Sequence, residues 1–178
     1  PIRCHEVHQL SCADLTKWIP DMSEKVGFIG LGNIGKPIAI NVCKAGHDLM
    51  VYDVRPQPLA ELAALGAKVA GSPRDIGTHA DIIEFVVADD PQLEAATIGP
   101  GGVLETAKRG TILAVHSTVL PSTIHKIAKI AAERGVTVID AQISGGASGA
   151  AAGTLAIMCG GDKAAFDRCK PIFDKKPS

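Results

Sequence analysis

The chain has 178 residues, 46% of them hydrophobic and 21% charged, with a formal net charge of −1. This composition excludes a disordered chain, and the near-zero charge supplies no basic field for nucleic acid or an anionic membrane surface. No apolar run approaches the roughly 20 residues of a membrane span, and with aromatics at 3% the core must be aliphatic and rich in Ala and Gly.

Residues 1–24 show no clean period, and Pro20-Asp21 breaks the chain just before Met22. We read them as a disordered or extraneous extension with Met22 as the natural start. They lack the basic start and apolar core of a secretory signal. His5-Glu6-Val7-His8 is one residue short of the HExxH spacing of a zinc helix, so even with Cys4 beside it no metal is expected. The cysteines (Cys4, Cys12, Cys43, Cys159 and Cys169) are odd in number and form no CxxC pair. Reduced thiols in a cytoplasmic setting follow. Cys43, Cys159 and Cys169 fall on patterns that read as core.

From Val26 the chain alternates strand and helix. Val26 to Ile29 is a short buried strand, and a helix over about 33–45 ends at Gly46. The next strand covers about 48–53. Pro56 and Pro58 open a helix through Leu65, stopped by Gly66. Lys68 to Ala70 is a third strand. Ser72-Pro73-Arg74-Asp75 reads as N-cap, N1 proline and acidic N3 of another helix. The fourth strand, Asp81 to Val87, is apolar except for Glu84, which does not suit a sheet covered on both faces. Asp90-Pro91 caps a helix over about 91–98, Gly99 to Gly102 is a loop, and a short helix spans about Val103 to Lys108. Strand five is Thr111 to His116. Pro121 opens a helix with Ile124, Ile127, Ala128, Ala131 and Ala132 on one face, ended by Gly135. Strand six is Val136 to Ile143. Residues 145–153 read as a connection, Thr154 to Met158 as a strand, and Gly160-Gly161-Asp162 as the cap of a helix over about 163–173. The connection is too short for a parallel crossover, so the last strand runs antiparallel. The fold class is α/β, a doubly wound, mostly parallel Rossmann-type sheet.

The first strand runs into Gly30-x-Gly32-x-x-Gly35 at the head of a helix. Gly30 permits the tight turn, Gly32 lets the backbone approach a pyrophosphate, and Gly35 lets helix and strand pack closely. The helix N-terminus offers free N–H groups and a positive dipole end to that anion. Asp53 ends the second strand 18 residues beyond Gly35, close to the spacing of a ribose-binding carboxylate. Polar or glycine residues also follow the other strands on which a ligand should sit: Ala88-Asp89, His116-Ser117-Thr118 and Ser144-Gly145-Gly146.

Three motifs in this order resemble the β-hydroxyacid dehydrogenases. They are Gly27 to Gly35 with Asn41 to His47, then Ser117-Thr118 with Pro121, then Asp140 to Gly146 with Gly149-Ala150 and Gly153-Thr154-Leu155. The likeness covers about residues 25–174, an NAD(P)-binding domain, with 175–178 as a tail. It implies that Gly30, Leu31, Gly32, Asn33, Ile34 and Gly35 hold the pyrophosphate and Asp53 the adenine ribose. Val87 would lie along the cofactor and Thr118 beside the nicotinamide. Ser144, Gly145 and Gly146 would bind the substrate carboxylate. The cofactor expected is NAD, with NADP as the alternative, and the substrate a small hydroxy acid such as 3-hydroxyisobutyrate. The resemblance also implies an oligomer for the full-length protein.

The chain departs from the family at Val115 and His116, where many relatives have Asp and Ser, and at Gln142, which replaces a usual proline. The family's catalytic-lysine motif, GxxGxGxxxKxxxN, has no match. We therefore expect a fold truncated before the helical C-terminal domain, binding cofactor without turnover. His116 is the one serious substitute for the lysine, Lys163 a poor one. The alternative is a non-catalytic dinucleotide-binding module.

Overall fold

The structure, a computed structural model, describes residues 24–174. The readings of residues 1–23 and of the tail at 175–178 lie outside the described residues. The elements follow in the order β1 (Val26–Ile29), α1 (Gly35–Lys44), β2 (Leu49–Tyr52), α2 (Pro56–Ala64), β3 (Lys68–Val69), α3 (Pro73–His79) and β4 (Ile82–Phe85). Then come α4 (Asp90–Thr97), a 3₁₀ turn (Val103–Glu105), β5 (Ile112–Val115), α5 (Pro121–Glu133), β6 (Thr137–Ser144), α6 (Gly146–Ala152), β7 (Ala156–Gly160) and α7 (Lys163–Phe173).

The strands form one sheet in the order β3-β2-β1-β4-β5-β6-β7. Every neighbouring pair is parallel except β6 and β7, which are antiparallel. Strand order reverses between β1 and β4, and in such sheets that switch point opens a crevice at the carboxyl ends of the strands.

Alternation along each strand builds two cores. One face joins Val26, Phe28, Ile82, Ala114 and Ile139 to Ala39 and Val42 of α1, Leu62 of α2, and Cys169 and Ile172 of α7. The other joins Ile83, Phe85, Leu113 and Val115 to Ile76, Leu93, Ile127 and Ala131 of α3, α4 and α5. Gly27 lets α3 come close, for a Cβ there would lie 2.3 Å from Ile76 Cγ2. The side chain of Asp162 caps α7, accepting from the Ala165 N–H at 2.8 Å. Glu24 joins the fold through Arg168, whose Nε donates to it at 2.7 Å.

Several expectations are corrected. Residues 146–152 are a helix, not a loop: a Gly/Ala segment gives no apolar period, but it packs on α1, where Asn41 Nδ2 donates to the Ala150 carbonyl at 2.9 Å. β7 starts two residues later than read. The helix read over 103–108 is a single 3₁₀ turn. Ser72 makes no side-chain cap; the Asp75 carboxylate instead accepts the Gly71 N–H at 3.0 Å. Ala132 is exposed on α5. Cys169 is core and Cys43 half-buried, but Cys159 is exposed because β7 is an edge strand. Glu84 is fully buried in β4, with His116 as its near neighbour across the sheet, which the linear sequence does not show.

Candidate cofactor site

Gly30 leaves β1 at φ +97°, and a Cβ there would sit 2.2 Å from the Val86 carbonyl oxygen. A Cβ on Gly35 would lie 2.0 Å from the Gly30 carbonyl oxygen, so the start of α1 rests on the turn itself. Gly32 differs: a Cβ there meets nothing within 4 Å. It faces open space in front of α1. That helix has no side-chain N-cap and no acidic residue in its first turn. Its leading N–H groups have no carbonyl one turn back within the helix, and none of its own first-turn residues is acidic, so its positive end is left for an anion. Asn33 is exposed there and Ile34 half-buried.

Asp53 follows β2 and reaches back to this turn. Its Oδ2 accepts the Leu31 N–H at 2.6 Å, and its Oδ1 accepts the Arg55 backbone N–H at 2.8 Å and Arg55 Nε at 3.0 Å. The Arg55 guanidinium also donates to the Leu31 carbonyl at 3.0 Å. Burial by itself would raise the Asp53 carboxyl, but the hydrogen bonds from Arg55 and Leu31 outweigh it and hold the group below its ordinary value. Arg55, though exposed, thus clamps the acid to the glycine turn.

A cavity of about 420 Å³ opens at the switch point, lined by Gly30, Asp53, Val54, Val87, Gln92 and Pro100 among others. The structure therefore brings Gly30, Asp53 and Val87 together. On the far side, the Val87 N–H donates to Ser117 Oγ at 2.8 Å, and Gln142 Nε2 donates to the Ser117 carbonyl at 2.9 Å. Thr118 Oγ1 lies 3.4 Å from Gln142 Oε1 and is exposed. Gln142 thus ties the carboxyl ends of β5 and β6, a role its place in the sequence did not announce. Ser144 ends β6, and Gly145 and Gly146 follow with φ of +134° and +64°, all three exposed. Lys163 pairs with Asp167 on α7 at 2.6 Å and does not line the switch-point cavity. Among the described residues no group of three or more His, Cys, Asp or Glu forms a metal site, and no helix is long and apolar enough to cross a membrane.

A family model described as the NAD binding domain of 6-phosphogluconate dehydrogenase matches residues 25–177. The chain is 41% identical over 153 residues to 2-(hydroxymethyl)glutarate dehydrogenase of Eubacterium barkeri, covering 86% of this chain and 51% of that protein. The chain belongs to the β-hydroxyacid dehydrogenase family. It is also 41% identical over 150 residues to 2-hydroxy-3-oxopropionate reductase of Escherichia coli, covering 84% of this chain and 51% of that one. The solved structure of Mycobacterium tuberculosis 3-hydroxyisobutyrate dehydrogenase with L-serine superimposes with a TM-score of 0.80 at 30% identity, over 86% of this chain and 52% of that one. The chain spans about half the length of the curated relatives it matches.

As the N-terminal NAD-binding domain of this family, the chain has a cradle that suits its cofactor. Gly32 opens on free space, the start of α1 carries no side-chain cap, and a cavity adjoins Gly30, Asp53 and Val87, features that fit an anionic dinucleotide.

Proposed function

We propose that this chain forms the cofactor half of a dehydrogenase acting on a small 3-hydroxy acid, 3-hydroxyisobutyrate being the type, and that alone it binds NAD(P) without turnover. The observation that supports it most is the convergence of Gly30, Asp53 and Val87 on one cavity at the switch point. When bound there, the cofactor would supply hydride transfer between its nicotinamide and the carbinol carbon of the substrate.

The chain's own residues orient the reactants. The N–H groups at Gly32 to Gly35 hold the pyrophosphate, Asp53 meets the adenine ribose, and Val87 lies along the cofactor. Thr118 borders the nicotinamide. Ser144, with the N–H groups of Gly145 and Gly146, receives the substrate carboxylate, since consecutive glycines expose donors that suit an anion. A proton partner for the developing alkoxide is the missing part, because it must lie within hydrogen-bond reach of the substrate oxygen. The burial of His116, 4% exposed with its Nδ1 on the Ala141 carbonyl at 2.7 Å, speaks against it in that role. The relatives are named as a 3-hydroxyisobutyrate dehydrogenase and a 2-hydroxy-3-oxopropionate reductase, which supports the substrate class. The unpaired Cys43, Cys159 and Cys169 suit a reducing, cytosolic setting.

Calorimetry with NADH, followed by an absorbance assay with NAD and 3-hydroxyisobutyrate, tests both halves. Saturable binding with no steady turnover is expected. Steady NADH formation abolished by His116→Ala would show that the imidazole does the lysine's work.

A further inference from the structure

Glu84, in β4, and His116, immediately past the end of the neighbouring β5, point to the same face of the sheet. Glu84 is 1% exposed and His116 4%. His116 Nε2 is 3.7 Å from Glu84 Oε2, too long for a hydrogen bond. Glu84 Oε1 and His116 Nε2 are both buried with no hydrogen-bond partner among the described residues. Both residues line a cavity of about 50 Å³ beneath α1, α6 and α7, and orphaned buried polar atoms of this kind call for an explanation.

The donor inventory decides what the cavity lacks. His116 Nδ1 contacts a backbone carbonyl, which can only accept, so Nδ1 carries the ring proton. In the neutral ring Nε2 is then a bare acceptor. The Glu84 carboxylate offers acceptors alone. Asn41 also lines the cavity: one of its two Nδ2 hydrogens goes to the Ala150 carbonyl, the other meets neither orphaned atom, and its Oδ1 is a further acceptor. Among the described residues no Lys or Arg lines the cavity, so none of them sets a fixed positive charge against the carboxylate there. Cys169 of α7 also faces Glu84, but burial, followed by the Glu84 charge, pushes its thiol up to about 12, so it stays neutral. The rest of the wall is apolar, with Ile38, Val42, Ile143, Leu155, Ile157 and Phe173.

We propose that this cavity is a binding site for a small primary ammonium group, whose N–H donors meet Glu84 and His116 Nε2 while its short hydrocarbon part rests on the apolar wall. A cation with several donors satisfies both orphaned atoms at once and neutralises the buried carboxylate. The room available limits the guest to a few heavy atoms.

Methylammonium chloride is the probe, compared with sodium chloride and tetramethylammonium chloride at equal ionic strength. A guest of two heavy atoms can half-saturate the site no tighter than about 6 mM. Methylammonium should raise the melting temperature above both control salts and move the ¹⁵N resonance of His116 Nε2 with one saturable isotherm. Glu84→Gln should weaken that isotherm at least about tenfold, the scale of a lost charged hydrogen bond. Should that variant fail to fold, the wild-type ring titration decides. Equal shifts in all three salts, or an Nε2 that already carries a proton in amine-free protein near neutral pH, would overturn the proposal. In the second case the ring itself answers the carboxylate.

Discussion

Placing a methyl group on each of two glycines of the turn should separate folding from cofactor binding. In Gly35→Ala the new Cβ lies 2.0 Å from the Gly30 carbonyl oxygen, a backbone atom that cannot swing aside. Overpacking of this kind reaches about 3 kcal/mol, which in a domain of this size lowers the melting temperature by about 6–12 °C. In Gly32→Ala the Cβ meets nothing within 4 Å, and the residue does not need the left-handed backbone region. Removing glycine's freedom from the unfolded chain should leave stability unchanged or raise it by up to about 1 kcal/mol. The same methyl occupies the space through which a pyrophosphate approaches α1. Losing charge-assisted hydrogen bonds there costs about 1.5–3 kcal/mol, or roughly 10- to 150-fold in Kd. Differential scanning fluorimetry and NADH calorimetry on both variants read the two effects apart. Undiminished NADH affinity in Gly32→Ala, or a melting loss equal to that of Gly35→Ala, would refute the reasoning.

Other expectations follow from the same geometry. The chain should bind NADH at least about tenfold tighter than NADPH, because the Asp53 carboxylate repels a 2′-phosphate while Arg55 is spent on Asp53; tighter NADPH binding in calorimetry would contradict this. The Asp53 carboxyl is held below its ordinary value of 3.8, so its contribution to stability is full above that pH and lost as pH falls through the folded value. Melting curves of Asp53→Asn should therefore be flatter than the parent's below about pH 4, and parallel acid limbs would remove Asp53 from the account. Cys169 is fully buried with its thiol near 12, leaving a thiolate fraction of about one in ten thousand at about pH 8. Iodoacetamide followed by peptide mass spectrometry should label exposed Cys159 in the native protein and Cys169 only after unfolding; native labelling of Cys169 would show that α7 opens.

The sheet was legible because its strands are short apolar runs bounded by Gly, Pro and Asp, and because the glycine turn needs specific residues at specific steps. The antiparallel β7 was legible from the length of its connection. What escaped depends on long-range packing. α6 is built of Gly, Ala and Ser, so its helical period has no apolar contrast, and its place is fixed by α1. Cys159 reads as core in a five-residue apolar window, yet it lies on an edge with no further strand among the described residues. Glu84 reads as a lone misfit, because nothing local shows that a second buried titratable group, His116 just past β5, lies 3.7 Å away. Ser117 and Gln142 take their roles from hydrogen bonds across 30 and 25 residues, which no local pattern encodes.

The most direct test of the cofactor site is a crystal structure of the protein grown with NADH. The pyrophosphate should lie on the N–H groups of Gly32 to Gly35, with the adenosine in the cavity lined by Asp53 and Val87 and the nicotinamide beside Thr118. Dinucleotide density anywhere else on the chain, with the Gly30 to Gly35 turn left bare, would contradict the account.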